Sequence, residues 1–189
     1  MGEADEDPLR ELAAFVAELC AYDWAGFVAR DYFHAQRQEH ASLVRRMDLL
    51  LADLQARDDA AAVAARLEAS IEAWWQRLDE ATGAVRFVPS VHPWHWRTQL
   101  QDGARSLRYA AARRSMPDAC ECALADAFGL PSRPPPAELL TVIATGDDED
   151  LPYPAPWTEY QCWRCGARWR EDDASSENWT ASSWMRQRG

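Results

Sequence analysis

Two cysteines separated by two residues, Cys162 and Cys165, constrain the fold of this chain more than any other feature. The segment reads Tyr-Gln-Cys-Trp-Arg-Cys-Gly over residues 160–166, with a glycine directly after the second cysteine. This spacing lets both thiolates reach one tetrahedral metal ion, and Gly166 provides the backbone freedom that the tight turn needs. The pattern therefore predicts half of a zinc site.

A second close pair, Cys120 and Cys122, can complete the four ligands that a structural zinc ion usually has. Residues two apart in a regular helix point about 200° away from each other, so both thiols can face one metal only at a helix start or in a loop. Pro117 allows a helix to begin nearby. The fifth cysteine, Cys20, lies in an apolar helical stripe and is predicted to be a small core residue.

Other interpretations of the cysteines stay open at this level. The two pairs can be ordinary reduced thiols, and a histidine can replace one cysteine at the metal. Cys162 and Cys165 can also form a redox pair of thioredoxin type, although such a pair should open a helix, whereas the residues after Gly166 look like a returning strand.

Strand-like residues flank the cysteine turn, at 158–162 and 167–171, and predict a β-hairpin around it. In composition, residues 157–171 resemble the second knuckle of zinc-ribbon domains. The resemblance implies a metal and this local hairpin shape, and it implies no particular function, because such knuckles serve many. Four sulfur ligands would leave no open position for water, so the zinc is expected to be structural.

Residues 1–83 are predicted to form an antiparallel helical bundle. Apolar residues recur at helical spacing over residues 8–22 and 24–38, and two longer stripes follow. A short connection at residues 57–59 favours antiparallel neighbours, and Gly83 ends the second stripe. The stripes consist of Leu43, Val44, Met47, Leu50, Leu51 and Leu54, and of Val63, Leu67, Ile71, Trp74 and Leu78.

Residues 84–189 are predicted to be a mixed part that packs with the bundle as one unit, so that the fold is mainly α. Residues 137–145 suit a buried helix or strand equally, and residues 146–150 are expected to form an acidic loop. Trp179 and Trp184 are expected to dock, because disordered tails rarely carry tryptophan. The rest of this part has strand-like residues at 84–88, followed by prolines at 89 and 93 that are expected to break regular structure. Helices are predicted at 97–114 and 117–128.

The composition is acidic, with a formal net charge of −11. This charge makes nucleic acid an unexpected partner, because phosphate neutralisation needs a basic face, and it favours a basic protein partner. All 20 basic residues are arginine. We attribute the lack of lysine to the codon bias of a GC-rich bacterial genome, with evasion of lysine-directed tagging as the alternative. Schiff-base and Walker-type lysine chemistry are excluded.

A cytoplasmic location is expected. Residues 1–8 are acidic and contain no apolar segment of the kind that a signal peptide has, and no run of about 18 apolar residues predicts a membrane helix. Five cysteines are an odd number, and close pairs of reduced cysteines in the cytoplasm bind metal more often than they form disulfides.

Histidine and tryptophan alternate in the segment His92-Pro93-Trp94-His95-Trp96. The segment predicts a ligand pocket, in which His92 and His95 act as acid, base or metal ligands and Trp94 and Trp96 stack on a substrate. His34 or Glu39 could add a metal ligand from the bundle. The alternative is that the ten tryptophans of the chain fill its core.

We therefore expect a zinc-stabilised protein-interaction module rather than an enzyme, with Trp163 and Arg164 at the tip of the cysteine turn as contact residues. An enzyme or small-molecule binder with a site at residues 92–96 is the first alternative. Nucleic-acid binding through the cysteine turn and the arginines of residues 97–114 is the second, and salt bridges to the chain's own carboxylates are the simpler explanation of those arginines.

Overall fold

The computed structural model describes residues 7–29, 35–83, 93–130, 133–148, 155–173 and 182–187. The chain divides into two compact units, Met1–Ala112 and Arg113–Gly189, which we call the helical unit and the sheet unit. Within the described residues the fold is mostly helical, with a small antiparallel sheet in the C-terminal part, so the prediction of a mainly α fold is confirmed at that level.

In the part of the helical unit that the structure describes there are five α-helices, and the fifth ends three residues beyond the unit. The loop between the third and fourth helices is the predicted short connection, where Arg57 forms an ion pair with Asp59 at 2.8 Å. At the N-terminus, the backbone N–H of Leu9 donates to the Asp7 carboxylate at 3.0 Å, which satisfies one free donor of the first turn. The helices are α1 (Arg10–Ala21), α2 (Trp24–Ala29), α3 (Ala35–Ala56), α4 (Ala60–Thr82) and α5 (Pro93–Ser115).

The predicted apolar stripes form the core of the helical unit, because α1 packs against both α3 and α4. The side chain of Leu51 on α3 packs on Gly103 of α5, where an added Cβ would lie 2.7 Å from a methyl group of Leu51. This close packing explains why a glycine occurs in the middle of a helix, where it otherwise costs stability. The buried side chains include Leu12, Phe15, Leu19, Met47, Val63, Leu67, Leu78, Trp96, Leu100 and Leu107.

The two compact units divide at residues 112–113. Helix α5 shares the core of the helical unit, because its Trp96, Leu100 and Leu107 lie in one cluster with residues of α1, α3 and α4. The predicted parts, residues 1–83 and 84–189 packed as one unit, stay a prediction. Pro93 differs from expectation: it opens α5 instead of breaking regular structure, since a first-turn proline lacks only an N–H that has no helical partner anyway.

The sheet unit contains α6 (Glu121–Ala127) and four strands, β1 (Leu140–Asp148), β2 (Ala155–Cys162), β3 (Arg168–Asp173) and β4 (Ser182–Gln187). The strands pair in the order β1-β2-β3-β4, each antiparallel to the next. The sheet is thus larger than the predicted two-stranded hairpin, which corresponds to β2 and β3.

Two local predictions are corrected in this unit. Residues 137–145, which suit helix or strand, form one 3-10 turn (Ala137–Leu139) and the start of β1. The expected acidic loop at 146–150 is strand through Asp148, because Gly146 and Asp147 pair with Trp157 and Pro156 of β2.

The expected docking of Trp184 agrees with the structure, where its ring stacks on Tyr160 with centroids 5.1 Å apart. Trp179 and the strand-like residues 84–88 lie outside the described residues.

Leu67→Ala is expected to lower the free energy of unfolding of the helical unit by about 2–5 kcal/mol, because truncation of a fully buried leucine loses hydrophobic burial and leaves a cavity. Leu49, whose side chain is 58% exposed, provides the matched control, and Leu49→Ala should change this free energy by about 0.5 kcal/mol or less. Urea unfolding followed by far-UV circular dichroism measures both changes. Equal losses in the two variants would contradict the described core.

Candidate metal centre

Four cysteine thiols converge on one point of the sheet unit, and they are the four that the sequence analysis selected. The Sγ atoms of Cys120, Cys122, Cys162 and Cys165 all lie within 4.8 Å of one another. The pair Cys120 and Cys162 is 3.7 Å apart, much longer than a disulfide bond and close to the roughly 3.8 Å edge of a tetrahedron with 2.3 Å metal–sulfur bonds. The four thiols are therefore reduced and arranged for one metal ion.

The turn between β2 and β3 positions Cys162 and Cys165. Cys162 is the last residue of β2, and its carbonyl accepts a hydrogen bond from the N–H of Gly166 at 2.7 Å. The Cys162 N–H in turn donates to the Ala167 carbonyl at 2.8 Å, which closes the turn. Gly166 has a φ of +74°, in the left-handed region that favours glycine, as the sequence analysis expected.

The start of α6 positions Cys120 and Cys122 and removes the orientation problem posed by their spacing. Cys120 is the N-cap residue, with an extended backbone at φ −70° and ψ 130°, whereas Cys122 lies in the first helical turn. Because only one of the two residues is helical, the regular angle of about 200° between them does not apply. The predicted helix at 117–128 begins later than expected, at Glu121. Because of this later start, the thiols of Cys120 and Cys122 can both face the place where the four sulfur atoms converge.

The thiols differ in how readily they ionise. Burial alone raises the pKa of Cys162, but N–H groups of Cys165 and Arg164 and the neighbouring thiols donate hydrogen bonds to its sulfur and hold its pKa below the ordinary value. Burial raises the pKa of Cys122 strongly and also raises the pKa of Cys165. Four thiolates this close repel one another, so full ionisation requires a bound cation.

Trp169 and Arg186 support the cluster from outside the ligand set, and the sequence analysis did not assign them this role. The fully buried indole of Trp169 donates its Nε1–H to the Cys122 sulfur at 3.3 Å. Arg186 donates to the Cys122 carbonyl at 3.2 Å and pairs with the Asp126 carboxylate. Such contacts fix ligand orientation and favour the thiolate form. The only indication of this role in the sequence was that Trp169 lies on the predicted return strand, where its side chain was expected to pack inside.

The arrangement is chemically a closed, sulfur-only site. Four sulfur ligands around one ion would fill a tetrahedral coordination shell and leave no position for an attacking water. Cys122 and Cys162 are fully buried, whereas Cys165 is exposed and lines an open cleft of about 430 Å³. The site can therefore bind and hold a metal, and Cys165 is its most accessible ligand.

The predicted contact residues Trp163 and Arg164 lie at the tip of the turn, and both are exposed. Trp163 has 65% of its side-chain surface exposed, the largest fraction among the large apolar residues that the structure describes. Its indole N–H donates to the Glu138 carbonyl at 3.0 Å, and its backbone N–H donates to the Leu139 carbonyl at 3.0 Å. One hydrogen bond thus links the exposed indole to the backbone of the residues that precede β1.

The predicted pocket at residues 92–96 is only partly within the described residues, and it stays a prediction. Trp96 is fully buried in the core of the helical unit, where its ring centroid lies 6.4 Å from that of Trp24. His95 is half-buried beside His40, and burial lowers its pKa. Trp94 lies in the first turn of α5, and His92 falls outside the described residues. In this arrangement Trp96 fills the core and presents no face to a cleft.

The arginines of α5 are engaged with carboxylates of the same chain. Arg97 pairs with Glu72 at 2.9 Å, Arg105 with Asp102 at 2.7 Å, and Arg108 with Glu68. Arg113 pairs with Glu121 at 2.8 Å. These ion pairs agree with the simpler explanation of the arginines and reduce the positive charge available to a phosphate backbone.

Comparison with known protein families, with curated proteins and with solved structures finds no match for this chain. Among the helices that the structure describes, none combines the length and the apolar character needed to cross a bilayer.

In the folded protein, without a chelator, Cys165 should be the first of the four thiols to react with N-ethylmaleimide, because it is the exposed thiol of the cluster. Cys162 has the lower pKa but is fully buried, so access should outweigh acidity. Trypsin cleaves after Arg164 and places the two cysteines on separate peptides, which mass spectrometry can quantify over time. Earlier labelling of Cys162 would contradict the described burial.

Proposed function

We propose that this chain is a zinc-stabilised protein-interaction module, an adaptor, regulator or inhibitor of a bacterial cytoplasmic system rather than an enzyme. The observation that carries the proposal is the convergence of four thiols directly beneath an exposed and anchored tryptophan. A closed sulfur-only site holds structure without performing chemistry, so the exposed surface that it holds is the functional part.

Zinc is the metal that this site fits best. Tetrahedral four-sulfur sites select zinc or iron among the common cellular metals, and zinc adds no redox chemistry to a site without open coordination positions. Burial of Cys122 and Cys162 and the hydrogen bond from Trp169 favour a permanently bound ion over an exchanging one.

Purified protein should contain one zinc ion per chain, and Cys120→Ser or Cys162→Ser should each lower its zinc content at least about tenfold, since loss of one ligand opens the shell. Cys20→Ser is the matched control, because Cys20 packs against the core of the helical unit. Plasma mass spectrometry measures the metal. Stoichiometric iron, or zinc that survives both ligand variants, would contradict the proposed centre.

The tip of the turn is the proposed contact surface. Trp163 offers a large apolar ring whose position is already fixed by the Glu138 carbonyl, so little conformational entropy is lost on binding. Tryptophan and arginine are also the residues most enriched among strong contributors to protein interfaces, and Arg164 is adjacent and exposed. The net charge of −11 favours a basic partner.

Trp163→Ala and Arg164→Ala should each weaken partner capture about tenfold or more, as expected for interface residues of these types. The zinc-loaded chain is immobilised, exposed to bacterial lysate and compared with the variants by quantitative mass spectrometry. Leu49→Ala, an exposed apolar change in the helical unit, should retain the same proteins. Zinc content confirms that each variant is intact, and an unchanged set of captured proteins in both tip variants would contradict the proposed contact surface.

A further inference from the structure

We propose that the free edge of β1 accepts an extended, basic and apolar segment of a protein partner as an additional strand of the sheet. The inference rests on the proposed interaction function and deepens it, because it states how the partner binds and which chemistry the partner carries. Addition of a strand to a sheet edge uses backbone hydrogen bonds for affinity and side chains for selectivity.

The position of β1 in the sheet provides the edge. Strand β1 pairs with β2 alone, and no strand pairs with its other side in the part of the chain that the structure describes. At nine residues, it is the longest strand of the sheet. A strand at an edge presents a row of backbone donors and acceptors that another chain can satisfy.

Exposed apolar side chains mark this edge. Val142 is 56% exposed and Ile143 is 42% exposed, although β-branched residues of this size are usually buried. The register moves from the pair Val142–Tyr160 to the pair Ala144–Glu159, so Ile143 has no partner residue on β2. The bulge thus leaves a large apolar side chain outside the sheet's own pairing, where an incoming strand can cover it.

Trp163 extends the same apolar surface. It forms hydrogen bonds with Glu138 and Leu139, the two residues that directly precede β1. The exposed indole therefore lies at the N-terminal end of β1. The exposed Val142 and Ile143 lie near the same end of that strand. An extended segment that pairs with β1 and continues beyond Leu140 would pass the end of the strand at which Trp163 lies.

Apart from the bulge at Ile143, the edge lacks the features that usually prevent strand addition. Natural edge strands are protected by lysine, proline, short length or inward-pointing charges, and by bulges. Strand β1 contains no lysine, arginine or proline, and its single register shift is followed by five consecutive paired residues, Ala144–Asp148. An exposed edge of this length and composition is a site for pairing rather than a protected boundary.

Charge selects the occupant. The strand carries Asp147 and Asp148 and no basic residue, and Glu138 precedes it. Pairing of two β1 strands from two copies would bring together two chains that each have a net charge of −11, which opposes self-association. A segment with arginine or lysine between apolar residues complements both the carboxylates and the exposed Val142 and Ile143.

The probe is a blocked decapeptide of alternating valine and arginine, added to the full zinc-loaded chain and followed by amide hydrogen exchange. Protection should appear over residues 140–148. The same peptide with alternate backbone nitrogens methylated should give no protection, because it cannot complete the ladder, and a valine–glutamate peptide should bind at least about tenfold more weakly.

Val142→Arg should weaken binding of the valine–arginine peptide by about tenfold, because it removes an apolar contact and adds a repelling charge. Met185→Arg, an equally exposed change on the opposite edge strand β4, is the matched control and should change the affinity by less than about twofold.

Three outcomes would overturn the proposal. The first is binding of the methylated peptide equal to that of the parent peptide. The second is protection at Trp163 and Arg164 without protection of β1, which would leave the proposed function standing on the tip alone. The third is protection of β1 that rises with protein concentration in the absence of peptide, which would assign the edge to a second copy of the chain.

Discussion

The close approach of four cysteine thiols is the constraint on which the sheet unit depends. Cys120 and Cys162 are 42 residues apart in sequence, yet their sulfur atoms are 3.7 Å apart. Closing a loop of this length costs entropy, and ionising neighbouring thiols adds repulsion. A bound divalent cation offsets both, because it attracts every thiolate at once. The hydrogen bonds from Trp169 and from the turn backbone prepare the sulfur atoms for that cation, but they cannot replace its charge.

The two units of the chain differ in how they are stabilised. The helical unit has a continuous core of about twenty buried side chains on its helices, each contributing on the order of 1–3 kcal/mol. Among the residues of the sheet unit that the structure describes, the cluster around the cysteines has three buried side chains, Cys122, Cys162 and Trp169, and Leu124 and Ala125 of α6 are also buried. Metal binding to structural sites in small domains contributes on the order of 10–16 kcal/mol, which exceeds what such a cluster can provide. The metal, rather than apolar burial, is therefore expected to hold the sheet unit and to position Trp163.

Local sequence patterns predicted which four cysteines lie together. They did not predict the features that depend on contacts between distant segments of the chain. The two cysteine pairs and Gly166 were identified from spacing alone, since a metal turn is encoded within a few residues. The orientation of Cys120 was not predictable, because it depends on α6 beginning at Glu121. Strand β1 was ambiguous because its apolar residues fit helix and strand equally, and only pairing with β2 selects the strand. The burial of Trp96 could have been predicted from the sequence, because Trp96 precedes Leu100 and Leu107 at helical spacing. All three residues lie in the core of the helical unit.

X-ray absorption spectroscopy at the zinc edge of the purified full-length protein tests the central claim most directly, because it reports the ligand atoms themselves. The account predicts a single shell of four sulfur atoms at about 2.3 Å, with no nitrogen or oxygen at about 2.0–2.1 Å. A shell containing light-atom ligands, or fewer than four sulfurs, would contradict a centre formed by Cys120, Cys122, Cys162 and Cys165.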